Sequence, residues 1–282
     1  MSAPSPLYAR TWRLIRRMGD GWNRVGGQTQ FYAKTIGSTG DALINYRVEL
    51  LRAIAQMSLG TGAMILIGGS VVIVGLLALI GATITGQQGF ATLQGVGIEA
   101  LLGFLGSYLN VRIVAPLQAT VALSATIGAG ATAQLGAMRI NEEIDALEVI
   151  GVRSVAYLAS SRVLAGVVVV IPLYCVAVLM AFLGIRMVAS FESLSSGVYD
   201  HYFRTFLNPA ELVWSLLIVI MTGTVVMLIH TYYGYNATGG PAGVGEAVGR
   251  AVRASLIVAI FVIMLATFAI YGHGGNFHLS GG

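Results

Sequence analysis

Chemically versatile residues are few and unevenly spread in this 282-residue chain. The densest group is Asn141-Glu142-Glu143-Ile144-Asp145-Ala146-Leu147-Glu148. Asn141 has the type of a helix N-cap, and acids in a first turn suit the positive end of a helix dipole. At helical spacing Ile140, Ile144 and Leu147 share one face, and Glu142, Asp145 and Glu148 lie elsewhere. Two readings stay open: a solvated loop helix, or a docking surface for a partner. A second group runs from Tyr235 and Asn236 through Gly243, Gly245 and Glu246, and its glycines permit tight turns. It lacks the strand and the Gly-Lys-Ser/Thr ending of a phosphate-binding loop, and the lone lysine, Lys34, follows Ala33. The chain is therefore expected to bind no ATP through a P-loop of its own.

A third group consists of polar residues inside apolar stretches: Glu99, Asn110, Arg112, Gln134 and His230. Such groups are costly in lipid and usually face a cavity or a partner. Arg112 is expected to meet Glu99 or a lipid headgroup; the bland alternative is that both snorkel to the interface. Catalytic patterns such as HExxH, GxSxG or paired histidines do not occur, and His201, His273 and His278 fall in loops or the tail. The lone Cys175 excludes an internal disulfide and gives no metal-site pattern. No enzyme, metal or cofactor is expected.

The elements that must position these residues are membrane spans. The chain is 56% hydrophobic and 10% charged, against about 25% charged in soluble domains. It cannot cover its surface with polar side chains, so lipid must be part of its solvent. Of its 16 basic residues, Arg10, Arg13, Arg16, Arg17, Arg24, Lys34, Arg47 and Arg52 precede Met57. Nucleic-acid binding would be one reading of that cluster. The positive-inside rule and attraction to anionic lipid account for it more simply, because apolar spans follow directly.

Residues 1–56 read as an amphipathic, interfacial or cytoplasmic region. Leu14, Met18, Trp22 and Val25 share one helical face, and a second stretch carries Leu43, Leu50 or Leu51, and Ile54. Met57–Ile84 reads as a first span, and Gly81–Gln94 as a Gly-rich loop. Val96–Ala137 is too long for one straight span and is interrupted by Asn110, Arg112 and Pro116, so it reads as one crossing with a broken or re-entrant first part. Val155–Val188, Leu212–Tyr233 and Ala254–Tyr271 complete five spans. A polar loop covers 189–208, and a Gly-rich loop opens at Tyr235. Five spans place the basic N-terminus, the stretch 139–153 and Arg250 and Arg253 on one side, which the basic residues mark as cytoplasmic. The expected architecture is an all-α membrane protein with a transmembrane domain over 57–273 and a tail over 274–282. Two adjacent rows of small residues, Ser124-Gly128-Thr132-Gly136 and Ala125-Ala129-Ala133-Ala137, offer a smooth face for close helix approach, within the chain or between subunits.

The chain resembles the MlaE/YrbE permease family, and specifically the B-type YrbE subunit of actinobacterial (including mycobacterial) Mce systems. The stretches that carry the resemblance are Asn110–Pro116, Ala125–Arg139, Glu142–Gly151, Tyr233–Asn236 and Gly243–Arg250. It extends from about Arg47 to Phe277. The resemblance implies an ABC transporter permease in the inner membrane, paired with an A-type YrbE permease. It further implies a separate cytoplasmic ATPase that binds the ATP, and Mce proteins forming a lipid-conducting assembly outside. Glu142, Glu143, Asp145, Leu147 and Glu148 would then form the coupling helix. Tyr235, Asn236, Gly243, Gly245 and Glu246 would form a second cytoplasmic loop, and Glu99, Asn110 and Arg112 would border the substrate cavity. The branch that handles outer-membrane lipid carries Glu after the arginine matching Arg112, where this chain has Ile113, which suits a less charged cargo. His230–Asn236 looks most like sterol-importing systems, so fatty acid or sterol, such as cholesterol, is the implied cargo and import its direction. The rivals from other classes are an ion-coupled secondary transporter, which would need acids or histidines deep in several spans, and a membrane scaffold for Mce proteins.

Overall fold

The computed structural model describes residues 26–59 and 69–271. The face built on Leu14, Met18, Trp22 and Val25 and the tail 274–282 lie outside the described residues. The described residues are helical, with no strand among them. In chain order the helices are α1 (26–37), α2 (Thr39–Ile44), α3 (Arg47–Leu59), α4 (Gly69–Gln94) and α5 (Glu99–Ile140). They continue as α6 (Glu143–Val149), α7 (Val155–Phe191), α8 (Ser196–Phe206), α9 (Pro209–Tyr235) and α10 (Gly240–Tyr271). Five of them, α4, α5, α7, α9 and α10, are long and apolar enough to cross a membrane.

The spans alternate in direction. Arg153 on the α6–α7 connection donates to Asp41 on α2 at 2.7 Å, and Ser160 on α7 donates to the Thr35 carbonyl at 2.8 Å. Tyr235, closing α9, meets Ser154 at 2.7 Å. These contacts gather α1–α3, the C-terminus of α5, α6, the N-terminus of α7 and the α9–α10 turn at one end, called here the basic end. At the opposite end Arg186 on α7 pairs with Asp200 on α8 at 3.3 Å, and the Tyr271 hydroxyl closing α10 lies 3.5 Å from the carbonyl of Glu211 near the start of α9. Residues 139–153 and Arg250 thus share an end with 26–59, and Tyr271 lies at the other.

Several boundaries differ from the sequence reading. Among the described residues the first candidate span is Ser70–Gln94, and its second half is the segment read as a loop; residues 60–68 of the expected Met57–Ile84 span lie outside the described residues. Gly81–Gln94 contains no charge, so nothing in it opposes burial. Its glycines serve close packing: a Cβ on Gly86 would lie 3.2 Å from Val188 and 3.5 Å from the Ile185 backbone. Val96–Ala137 is neither broken nor re-entrant: from Glu99 onward it belongs to one continuous 42-residue helix, α5. Its length is about 60 Å at 1.5 Å per residue, twice a bilayer core of ~30 Å. The excess packs along α8, with Gly103 beneath the Tyr199 and Phe203 backbone and Phe104 4.8 Å from Phe206. The backbone widens to i→i−5 hydrogen bonding over Leu105–Val114, the stretch that carries Asn110 and Arg112, and again over Ser124–Gly128. Pro116, which lacks an N–H, sits in the first turn after the first of these stretches.

The polar stretch 189–208 contains α8, whose Tyr199 is buried. Burial pushes the Tyr199 phenol up to about 12. The Gly-rich loop after Tyr235 is short, because α10 already begins at Gly240. Asn141 is not an N-cap. It terminates α5, and the residue before α6 is Glu142, in the left-handed region at φ 60° without a side-chain cap. Of the expected face Leu43, Leu50 or Leu51, and Ile54, Leu43 is separated from the rest by the helix break at Asn45-Tyr46, and on α3 it is Leu50, half-buried, that lies one turn before Ile54. Ile54 and Met57 pack on the core, and Leu43 and Leu51 point outward.

The main core lies where α7 meets α4, α5 and α9, around Val74, Leu123, Val170, Leu173, Val219 and Met227. The outer faces of α4 and α10 remain apolar and exposed, at Val72, Leu76, Ile80 and Ile84 and at Ile260, Phe261, Met264 and Phe268. Such faces need lipid or another apolar surface against them.

Candidate functional site

The acidic segment forms a short helix projecting from the basic end. Ile144 is its anchor: it is fully buried in a small cluster with Leu135 on α5 and Leu158 on α7, with Leu147 and Tyr235 packed against it. The carboxylates sort into two kinds. Asp145 accepts from Arg139 at 2.6 Å, and Glu148 accepts from the hydroxyls of Ser154 and Tyr235, the latter at 3.2 Å. Glu142 and Glu143 are exposed, with only a long contact of 3.4 Å from Asn141 to Glu143. Beside them Val149 and Ile150 are 87% and 73% exposed, more than expected for β-branched apolar residues in water. α6 is therefore a short helix fixed to the bundle, with an acidic and apolar outer surface. It is tied to α7 through Ser154 and to α9 through Tyr235.

The residues of the second predicted loop separate. Tyr235 joins the acidic site, and Asn236 ends α9, its side-chain amide donating to the Tyr232 carbonyl at 2.9 Å. Gly243, Gly245 and Glu246 lie in the first turns of α10, where Glu246 accepts from Arg250 at 2.7 Å.

At the opposite end Arg112 does not meet Glu99. It donates through Nε to Glu211 Oε2 at 2.9 Å and through Nη2 to Oε1, a bidentate pair between residues 99 positions apart. The guanidinium also lies over the ring of Tyr108, 3.7 Å from its centroid, and 4.2 Å from that of Tyr271. Glu99 opens α5 half-buried, outside this cluster. Asn110 is fully buried, and neither polar atom of its side chain has a partner. Next to the Arg112 cluster, α5 and α10 border an open groove of about 460 Å³ lined by Ile113, Leu117, Ile263, Met264, Phe268 and Tyr271. Thr267 also lines it, and its buried hydroxyl has no partner.

Sequence reasoning named Arg112 but not Glu211, Tyr271 or Thr267. The only signal for Glu211 was an acid in the first turn of an apolar helix. His230 lies in neither site: it is buried between the Ser124 and Ser255 hydroxyls, each 3.1 Å from Nε2, and Thr132, 2.8 Å from Nδ1. The row Ser124-Gly128-Thr132-Gly136 thus packs inside the chain against α9 and α10, and a Cβ on Gly128 would come within 2.6 Å of the His230 ring. The parallel row from Ala125 to Ala137 remains exposed or half-exposed.

An anchored acidic helix thus stands at one end of five spans and an apolar groove at the other. The family pattern described as Permease MlaE matches residues 60–269. The chain belongs to the MlaE permease family. Among curated proteins it is 23% identical over 247 residues to a probable ABC transporter permease protein of Rickettsia bellii, covering 87% of this chain and 95% of that one. It is 28% identical over 185 residues to Protein TRIGALACTOSYLDIACYLGLYCEROL 1, chloroplastic, of Arabidopsis thaliana, covering 64% and 52%. A probable ABC transporter permease protein of Synechocystis is 27% identical over 176 residues, covering 59% and 63%. As an MlaE-family member the chain is a multi-pass membrane permease, and membership of an ABC transporter implies an ATPase partner.

Proposed function

We propose that this MlaE-family permease moves a weakly polar lipid, of the sterol class, across the inner membrane. A separate ATPase docks on α6, and the groove between α5 and α10 takes the cargo. The observation that carries the reading is the clamp on α6. Ile144, Glu148, Ser154 and Tyr235 tie the lever to α7 and α9, so a push on Glu142, Glu143, Val149 and Ile150 moves spans rather than a loose loop. In the proposed cycle, closure of the ATPase dimer displaces α6, and α7 and α9 shift with it. The groove then changes shape at the opposite end, where Mce proteins deliver or accept lipid. Nucleotide drives this only through its differential affinity for the two states.

The cargo assignment rests on charge. The guanidinium of Arg112 is neutralised by Glu211, and the groove beside it offers apolar walls, one unpartnered hydroxyl and a phenol. An anionic headgroup finds no free cation there, whereas a lipid bearing a single hydroxyl finds a partner in Thr267. The second permease, an A-type YrbE subunit, would cover the exposed apolar face of α10. An ion-coupled mechanism is less well supported, because His230 is enclosed by neutral hydroxyls and Glu99 sits at a helix end. The test is to purify the chain with its native partners and identify the retained lipid and ATPase by mass spectrometry. Glu142→Lys/Glu143→Lys should lose the ATPase while remaining folded. Retention of the ATPase by that variant, or anionic phospholipid as the main lipid retained by an Arg47→Gln chain, would overturn the proposal.

A further inference from the structure

We infer that the elbow between α2 and α3 holds the phosphate headgroup of an anionic membrane lipid, at the end of the bundle opposite the cargo groove. The elbow forms an open groove of about 510 Å³ against α7. Its polar walls are Asn45, Tyr46, Arg47, Glu49, Arg52 and Tyr157. Two guanidiniums face one carboxylate, and that carboxylate is already engaged: Glu49 accepts from Arg52 at 3.0 Å and from the Tyr157 hydroxyl at 3.2 Å. Arg47 donates Nε to the Ile44 carbonyl at 3.1 Å and is in no ion pair with a described residue. Its remaining N–H groups suit a phosphate oxygen.

Behind the groove, Arg162 is 6% exposed and bonds only to the Leu158 carbonyl at 3.2 Å and, weakly, to Met138 sulfur at 3.9 Å. The rest of the lining points to a lipid. Ile44 and Val48 border the groove and are 67% and 73% exposed, and Leu43 and Leu51 continue the apolar surface. A phosphate beside exposed aliphatic side chains is the arrangement at the boundary between headgroups and acyl chains. The site is separate from cargo movement: Arg112 is ion-paired and the cargo groove apolar, whereas here Arg47 is in no ion pair with a described residue.

The test uses the full-length chain in nanodiscs carrying traces of spin-labelled phosphatidylglycerol or phosphatidylcholine, read by the motionally restricted fraction. The native chain should restrict phosphatidylglycerol in preference. Arg47→Gln should cut that preference about five-fold, which corresponds to ~1 kcal/mol per basic residue at an anionic leaflet. Arg47→Lys should keep most of it, and unchanged circular dichroism will certify folding of both. Equal restriction of the two lipids, or an undiminished preference in folded Arg47→Gln, overturns the inference. Displacement of the labelled lipid by millimolar inorganic phosphate also overturns it, since the ligand would then be free phosphate.

Discussion

Replacing Glu211 by Gln leaves Arg112 charged and without its carboxylate. The pair is bidentate, and the two side chains are 17% and 16% exposed. Breaking a fully buried pair costs ~3–5 kcal/mol and an exposed one at most ~1 kcal/mol. This site lies nearer the buried limit, which suggests about 3 kcal/mol. The rings of Tyr108 and Tyr271 hold the guanidinium in both proteins, so they leave the difference unchanged. Glu211→Gln is therefore expected to destabilise by about 3 kcal/mol, measured by thermal unfolding in detergent. Arg112→Met/Glu211→Met should return to within about 1 kcal/mol of the native chain, because no charge is stranded. The same single substitution unmasks a cation beside the cargo groove. The ratio of anionic to neutral lipid in the purified protein should rise about ten-fold, a shift of ~1.4 kcal/mol. If Glu211→Gln matches the native chain in both stability and lipid content, the argument from charge neutralisation is wrong.

Thr267→Val should be neutral or slightly stabilising, since the buried hydroxyl has no partner, yet should lower retention of a hydroxylated lipid in mass spectrometry. Gly128→Ala should destabilise by about 1–3 kcal/mol in thermal unfolding, because the new methyl meets an imidazole that three hydroxyls hold in place. Ile144→Ala should cost about 2–4 kcal/mol and free α6, seen as faster limited proteolysis between residues 141 and 153. Tyr235→Phe should cost only about 1 kcal/mol of stability but weaken the link between α6 and α9, lowering ATP-dependent lipid movement more than ATPase binding.

What the sequence made legible follows from what lipid demands. Charge-free runs of span length had to be helices, and the grouping of Arg139, Arg153 and Arg250 at one end followed from parity and basic residues. Glycine misled the reading. Gly81–Gln94 looks like a loop by composition, yet in an apolar segment its glycines allow α4 to approach α7. Pro116 and Arg112 looked like breaks, but α5 runs through both, its hydrogen bonding widened over the stretch that carries Arg112. The helix at 143–149 was visible as an acidic amphipathic stretch. Its attachment to the bundle was not, because Ser154 and Tyr235 come from other elements and carry no local signal. Arg112 stood out as a cost without a remedy, and Glu211 could be matched to it only once α5 and α9 were placed side by side.

The central claim is that force enters through α6 and lipid moves at the other end. It is tested by reconstituting the chain with its native partners in proteoliposomes and following a fluorescent sterol as ATP is added. The account predicts ATP-dependent movement that is abolished in Glu142→Lys/Glu143→Lys while Arg47→Lys, at the same end of the bundle, behaves as the native chain. Movement that needs no ATP, or that persists in the charge-reversed lever, would contradict it.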